Sequence, residues 1–167
     1  ELVAAGAGHP LVVVGEGPEH QKLQRRITSD RLRVALLGRS DDIASLLGAA
    51  DVALLTSTWE ARALVAQEAL LAGVPLISTR VGGIEDLVDS AAVLIPPGDV
   101  KEAARQIVAL ADDPGERARL SQAGLRQAAS WPDEDDVADD LVRAYNGVAR
   151  DRRYKGFWNS SGGFTVR

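Results

Sequence analysis

The sequence predicts a doubly wound, parallel α/β sheet, Rossmann-like, with helices on both faces. Three observations carry that expectation. Short runs of aliphatic and β-branched residues without polar alternation recur along the chain, as strands covered on both faces require. Each run gives way to a polar or glycine-bearing loop and then to a segment of helical composition, so that βα units follow one another in series. The length, 167 residues, is one domain's worth and suffices to bury about 70% of the unfolded surface.

The elements follow in order. The opening ELVAAGAGHP reads as the last turns of a helix and a loop; with no charged n-region before an apolar core it does not resemble a signal peptide. Leu11 to Val14 is the first strand, closed by Gly15-Glu16-Gly17, and Pro18 opens a polar helix to about Ile27 from the favoured first-turn position. The second strand, Val34 to Leu37, ends at Gly38-Arg39. Asp41 and Asp42 offer caps for a short helix, Ile43 to Ala49, and Asp51 leads into the third strand, Val52 to Leu55.

A helix starting near Ala63 stops at Gly73. Val74 to Ser78 is the fourth strand, with Pro75 near its start, where a missing donor is tolerated. The loop Thr79-Arg80-Val81-Gly82-Gly83 reads either as a tight turn or as backbone able to approach a ligand. Ala92 to Ile95 is the fifth strand. Asp99 then reads as an N-cap with Glu102 completing a capping box, and Asp113 with Glu116 repeats the device. After Trp131-Pro132, the run Asp133 to Asp136 opens a helix with Val137, Leu141, Tyr145 and Val148 on one stripe. Acids there offset the helix dipole, a better reading than an Asp-x-Asp metal pair. The domain is expected to span residues 1–150, and the aromatic-rich tail, 151–167, is left open.

Composition excludes several classes. A formal charge of −5 argues against an extended nucleic-acid surface. Without cysteine there is neither a disulfide nor thiolate chemistry, and no apolar run approaches the roughly 18 residues of a membrane span, so a cytoplasmic protein is expected. His9 and His20 are too few and too isolated for a metal site or a Ser-His-Asp triad. Gly15-x-Gly17 hints at a dinucleotide fingerprint, but His20 stands where its third glycine belongs, and no ribose-binding acid follows Gly38-Arg39.

The informative stretch is Thr56 to Gly73, TSTWEARALVAQEALLAG. It joins the carboxyl end of a strand to a helix N-terminus, where ligands bind in doubly wound sheets. Glu60 lies in the loop. Glu68 lies more than a turn inside a helix that is otherwise almost wholly apolar. A carboxylate on such a helix is costly to bury unless it is hydrogen-bonded, and paired sugar hydroxyls would serve; the alternative is a solvated stripe of Gln67 and Glu68. The amides of Ala63, Leu64 and Val65 form a donor cluster suited to a diphosphate.

From Asp51 to Val88 the chain resembles the core signature of the retaining, nucleotide-sugar-dependent glycosyltransferases of the GT-B fold with a Glu-x7-Glu motif, the family 4-like group. Glu60 and Glu68 match its two glutamates; Ala72-Gly73-Val74-Pro75 and Val81-Gly82-Gly83 match the segments that follow. The likeness extends to Val14-Gly15-Glu16-Gly17-Pro18-Glu19, Leu37-Gly38-Arg39 and Val93 to Asp99, with Trp131 near its end, and covers roughly residues 9–148. It implies the donor-binding C-terminal half of a GT-B fold lacking its first strand. It also implies a partner, the N-terminal acceptor-binding domain, through which any peripheral membrane contact would come.

What the resemblance implies at Glu68 is a ribose-hydroxyl acceptor, and at Glu60 a contact with donor-sugar hydroxyls. Gly15, Gly17, Arg39, Gly82 and Gly83 would line the donor site beside the amides of Ala63, Leu64 and Val65. The helix N-terminus would stabilise the leaving diphosphate, so neither metal nor cofactor is expected. The chain departs from the family at Ala61 and Ala63, where glycines are usual, and at Glu85-Asp86, where Pro-Glu is usual. The Arg and Lys that grip the diphosphate after the first strand have no counterpart, so the chain alone is expected to bind donor weakly and not to turn over. Two alternatives stay open: a GT-B nucleotide-sugar epimerase or hydrolase, and a non-catalytic nucleotide-binding module.

Overall fold

The computed structural model describes residues 9–61 and 63–150. Two compact units divide the chain, one running to Ala129 and one starting at Ser130. The sequence reading carried a single domain on to residue 150; the first unit closes at Ala129, ahead of the Trp131-Pro132 break.

In the first unit the strands are β1 (Leu11–Val14), β2 (Val34–Gly38), β3 (Ala53–Leu55), β4 (Leu76–Thr79) and β5 (Ala92–Ile95). The helices are α1 (His20–Asp30), α2 (Ile43–Gly48), α3 (Leu64–Leu71), α4 (Ile84–Val88), α5 (Val100–Asp112) and α6 (Pro114–Ala129). All pairings are parallel, as the βα alternation requires. The strands form two sheets, β1-β2 and β3-β4-β5.

The second sheet holds the core. Every residue of β4 is buried, as expected of a central strand covered on both faces. Ile77 and Ile95 pack with Ala103, Leu110 and Leu120 from α5 and α6, and Val52, Leu54, Val93 and Ile107 pack against this cluster. Helix α3 docks on α6 through small residues: a Cβ added to Gly124 would stand 3.3 Å from Leu70 Cγ. In contrast, β1 and β2 contain no buried residue although both are almost wholly apolar, and Val12, Val14 and Leu37 are exposed.

Element boundaries differ from the sequence reading in a few places. Pro18 lies in a turn ahead of α1, whose N-cap is Glu19, and the helix runs on to Asp30 before Arg31 turns left-handed at φ 52°. Strand β4 starts at Leu76 because the amide of Val74 is engaged by the Ala69 carbonyl at the end of α3. The caps fall where the sequence puts them. Asp42, Asp99 and Asp113 accept from the amides of Ser45, Glu102 and Glu116. Glu102 does not close the box; its carboxylate accepts from Arg105 and Gln106 instead.

In the second unit, α7 (Glu134–Arg150) opens with a complete capping box. Asp133 accepts from the Asp136 amide at 2.8 Å, and Asp136 from the Asp133 amide at 3.3 Å. These acids are therefore engaged as caps. Residues 151–167, the tail of the sequence reading, lie outside the described residues.

Candidate donor site

The candidate residues lie on the loops after the carboxyl ends of the parallel strands or, for Leu64, Val65 and Glu68, in the helix that follows one of them. Between β3 and α3, Glu60 is half-buried and tied down at several points. The Ser57 hydroxyl donates to Glu60 Oε1 at 2.6 Å, and the Glu60 carbonyl accepts from the Gly83 amide at 3.3 Å. From the end of β4, the buried Thr79 hydroxyl donates to the Ser57 carbonyl at 2.6 Å.

The Gly82-Gly83 turn resolves one ambiguity of the sequence. Gly82 is left-handed at φ 54°, and a Cβ there would lie 1.6 Å from the Glu60 carbonyl oxygen. A Cβ on Gly83 would lie 2.8 Å from the Ala61 carbonyl oxygen. Glycine is needed because the Glu60-Ala61 backbone sits against this turn, and the Gly83 amide is spent on that contact. The two glycines form a tight turn, and the backbone that approaches it is the chain's own.

Helix α3 has Ala63 as its N-cap, in an extended conformation (φ −74°, ψ 99°) and without a side-chain cap. Alanine is at no disadvantage to glycine at that φ. The Ala63 carbonyl accepts from the amides of Ala66 and Gln67. Leu64 and Val65, on the first turn where amides have no intrahelical acceptor, are exposed. Glu68 is exposed as well, so its carboxylate carries no burial cost. Gln67 is not its partner in a solvated stripe: it is half-buried, and its Nε2 is buried without a hydrogen-bond partner. The outward face of α3 is instead Leu64, Val65, Glu68 and Leu71, with Trp59 exposed in the preceding loop.

On the first sheet the Gly15 amide donates to the Gly38 carbonyl at 2.7 Å, joining the two strand-end loops. Gly15 and Gly38 adopt φ of 125° and 70°, conformations that suit glycine. A Cβ on Gly17 would meet nothing within 4 Å. Arg39 is exposed and 3.6 Å from Asp41. Arg80, in the loop after β4, is hydrogen-bonded to Glu85, one of the residues at which the chain departs from the family pattern.

Sequence reasoning missed Ser57 and Thr79. Their only signal was two hydroxyl residues near an expected ligand loop, and their contact joins positions 22 residues apart. Among the described residues there is no group of three or more His, Cys, Asp or Glu able to hold a metal ion. Nor, among them, is any helix long and apolar enough to cross a membrane.

Comparison with known proteins agrees with this architecture. The chain is 38% identical over 121 residues to N-acetyl-alpha-D-glucosaminyl L-malate synthase of Bacillus anthracis, covering 66% of this chain and 32% of that protein. It is 31% identical over 156 residues to D-inositol 3-phosphate glycosyltransferase of Salinispora tropica, covering 85% and 32%. Among solved structures, Anabaena Alr3699/HepE in complex with UDP superposes with a TM-score of 0.78 at 28% identity, covering 87% of this chain and 44% of that one. Sucrose-phosphate synthase from Thermosynechococcus elongatus gives 0.76 at 28%, covering 89% and 41%. The chain thus spans about a third of the length of these curated relatives. Residues 5–127 match the family described as Glycosyl transferases group 1, and the chain belongs to that family.

Proposed function

We propose that this chain is the donor-binding part of a retaining glycosyltransferase of the GT-B fold, in which Glu60 and Glu68 form a Glu-x7-Glu pair. The full-length protein transfers a sugar from a nucleoside diphosphate sugar to an acceptor held by a separate N-terminal domain, in the cytoplasm. The observation that carries this reading is the joining of Glu60, clamped at the end of β3 and β4, to an uncapped helix with an exposed Glu68. A fixed carboxylate and the first-turn amides of a helix without a side-chain cap, on one loop-helix unit, suit a ligand that is sugar at one end and diphosphate at the other. That a similar fold was solved with UDP, in Anabaena Alr3699/HepE, supports it.

Glu68 accepts the ribose hydroxyls, and Glu60 orients the donor sugar and stabilises developing positive charge. The amides of Ala63, Leu64 and Val65 receive the leaving diphosphate, an electrostatic role that aligned dipoles perform without reorganisation. Gly15, Gly17 and Arg39 border the nucleotide; Gly82 and Gly83 border the sugar through the loop they support. No metal or other cofactor has an assigned part.

Calorimetric titration with UDP, GDP and ADP, on this chain and on the full-length protein, tests the reading and names the base. Glu68→Gln should weaken the preferred nucleotide about ten- to a hundredfold, the ~1.5–3 kcal/mol of a hydrogen bond to a charged group. Unchanged affinity would remove Glu68 from the site. Failure of all three nucleotides to bind the full-length protein would remove the site itself.

A further inference from the structure

The contacts around Glu60 assign a role to a residue outside the two-glutamate pair. We propose that Ser57, anchored by Thr79, is a positioning residue that sets the direction of the Glu60 carboxylate, while the Gly82-Gly83 turn holds the Glu60 backbone. The inference rests on the donor-sugar role given to Glu60 above.

A glutamate on a loop has three side-chain torsions and, left alone, samples many directions. Here both ends of that freedom are restricted. The backbone is held because the Glu60 carbonyl accepts from Gly83 and lies where any Gly82 side chain would have to go. The carboxylate is held because Oε1 accepts from the Ser57 hydroxyl at 2.6 Å, a short charge-assisted hydrogen bond. Ser57 is itself fixed through its carbonyl by Thr79, a buried residue at the end of the central strand. The core strand therefore reaches the carboxylate in two hydrogen bonds. A bond to Oε1 leaves Oε2 and the remaining lone pairs to meet ligand hydroxyls. Such support keeps a reacting constellation within the narrow geometry that rate requires.

The test is a kinetic comparison in the full-length transferase of Ser57→Ala, Ser57→Thr, Glu60→Gln and the Ser57→Ala/Glu60→Gln double variant. Expected is a ten- to hundredfold fall in kcat for Ser57→Ala, with the affinity for free nucleoside diphosphate and the melting temperature near wild type. Ser57→Thr should restore most of the rate, and the double variant should be no slower than Glu60→Gln alone, since the two residues act as one unit. Wild-type turnover in Ser57→Ala while Glu60→Gln is slow would overturn the positioning role and leave Glu60 in place. Wild-type turnover in Glu60→Gln would overturn the donor-sugar reading, and the proposal with it. A Ser57→Ala variant that loses nucleotide affinity and melting temperature together with rate would mark Ser57 as a structural residue only, also against the proposal.

Discussion

At the scale of single residues, Gly82 shows how one hydrogen in place of a methyl can organise a site. Its φ of 54° already disfavours a side chain, and an added Cβ at 1.6 Å from the Glu60 carbonyl oxygen cannot be accommodated without moving backbone. Gly82→Ala should therefore cost about 2–4 kcal/mol, the sum of left-handed strain and overpacking. Urea unfolding of wild type and variant measures it; a midpoint unchanged by the substitution would mean that the loop carrying Glu60 does not rest on this turn. Of the candidate residues, Glu60 and Glu68 could be picked out in the sequence because a familiar spacing and neighbouring motifs surround them. Ser57 and Thr79 were not, because a hydroxyl's partner is set by which loops the sheet brings together. The alternative of a solvated stripe shared by Gln67 and Glu68 fails at Gln67, because α3 packs Gln67 inward and leaves the apolar Leu64 and Leu71 outside.

At the scale of elements, the helices are stabilised by local charge pairs that carry a pH signature. The guanidinium of Arg105, with Gln106, holds the Glu102 carboxyl below the ordinary glutamate range in α5, and Arg119 does the same for Glu116 in α6. A carboxyl whose folded value is depressed contributes stability in full above its unfolded value, and that contribution is lost as pH falls through the folded value. The acid limb of a stability profile should therefore include both groups, below the usual glutamate range. Glu102→Gln should flatten that limb in thermal melts recorded across it and leave the neutral-pH dependence alone. An acid limb identical in variant and wild type would remove the pair from the account. The capping acids were legible because a cap is a contact within four residues. Asp133 and Asp136 engage each other's amides over the same short range at the start of α7. The position of Pro18 was not legible: its φ suits a turn as well as a helix start, and the choice fell to the turn.

At the scale of the whole molecule, the parallel sheet is interrupted. The strands pair in two separate parallel sheets, β1-β2 and β3-β4-β5. The Leu11 and Gly15 amides donate toward β2 and that of Ala53 toward β4. Alternation then turns the main-chain groups of Val12, Val14 and Leu54 to the unpaired edges of β1 and β3. Exposed apolar edge strands are templates for pairing. In hydrogen exchange, these amides should exchange quickly in this chain. Protection that instead rises with concentration would point to pairing of these edges between copies.

By itself, the sequence determined the parallel α/β class, the five strands and the capping aspartates, and it singled out Glu60 and Glu68 as candidates. Each depends on periodicity or on contacts only a few residues apart, and several are reinforced by motifs in a fixed order. Only the tertiary structure decided that the sheet is split, that Gly82 and Gly83 make room for the chain's own backbone, and that Ser57 and Thr79 support Glu60. Those features depend on which strand ends meet in space, and no local pattern of residue types encodes a contact between loops 22 positions apart.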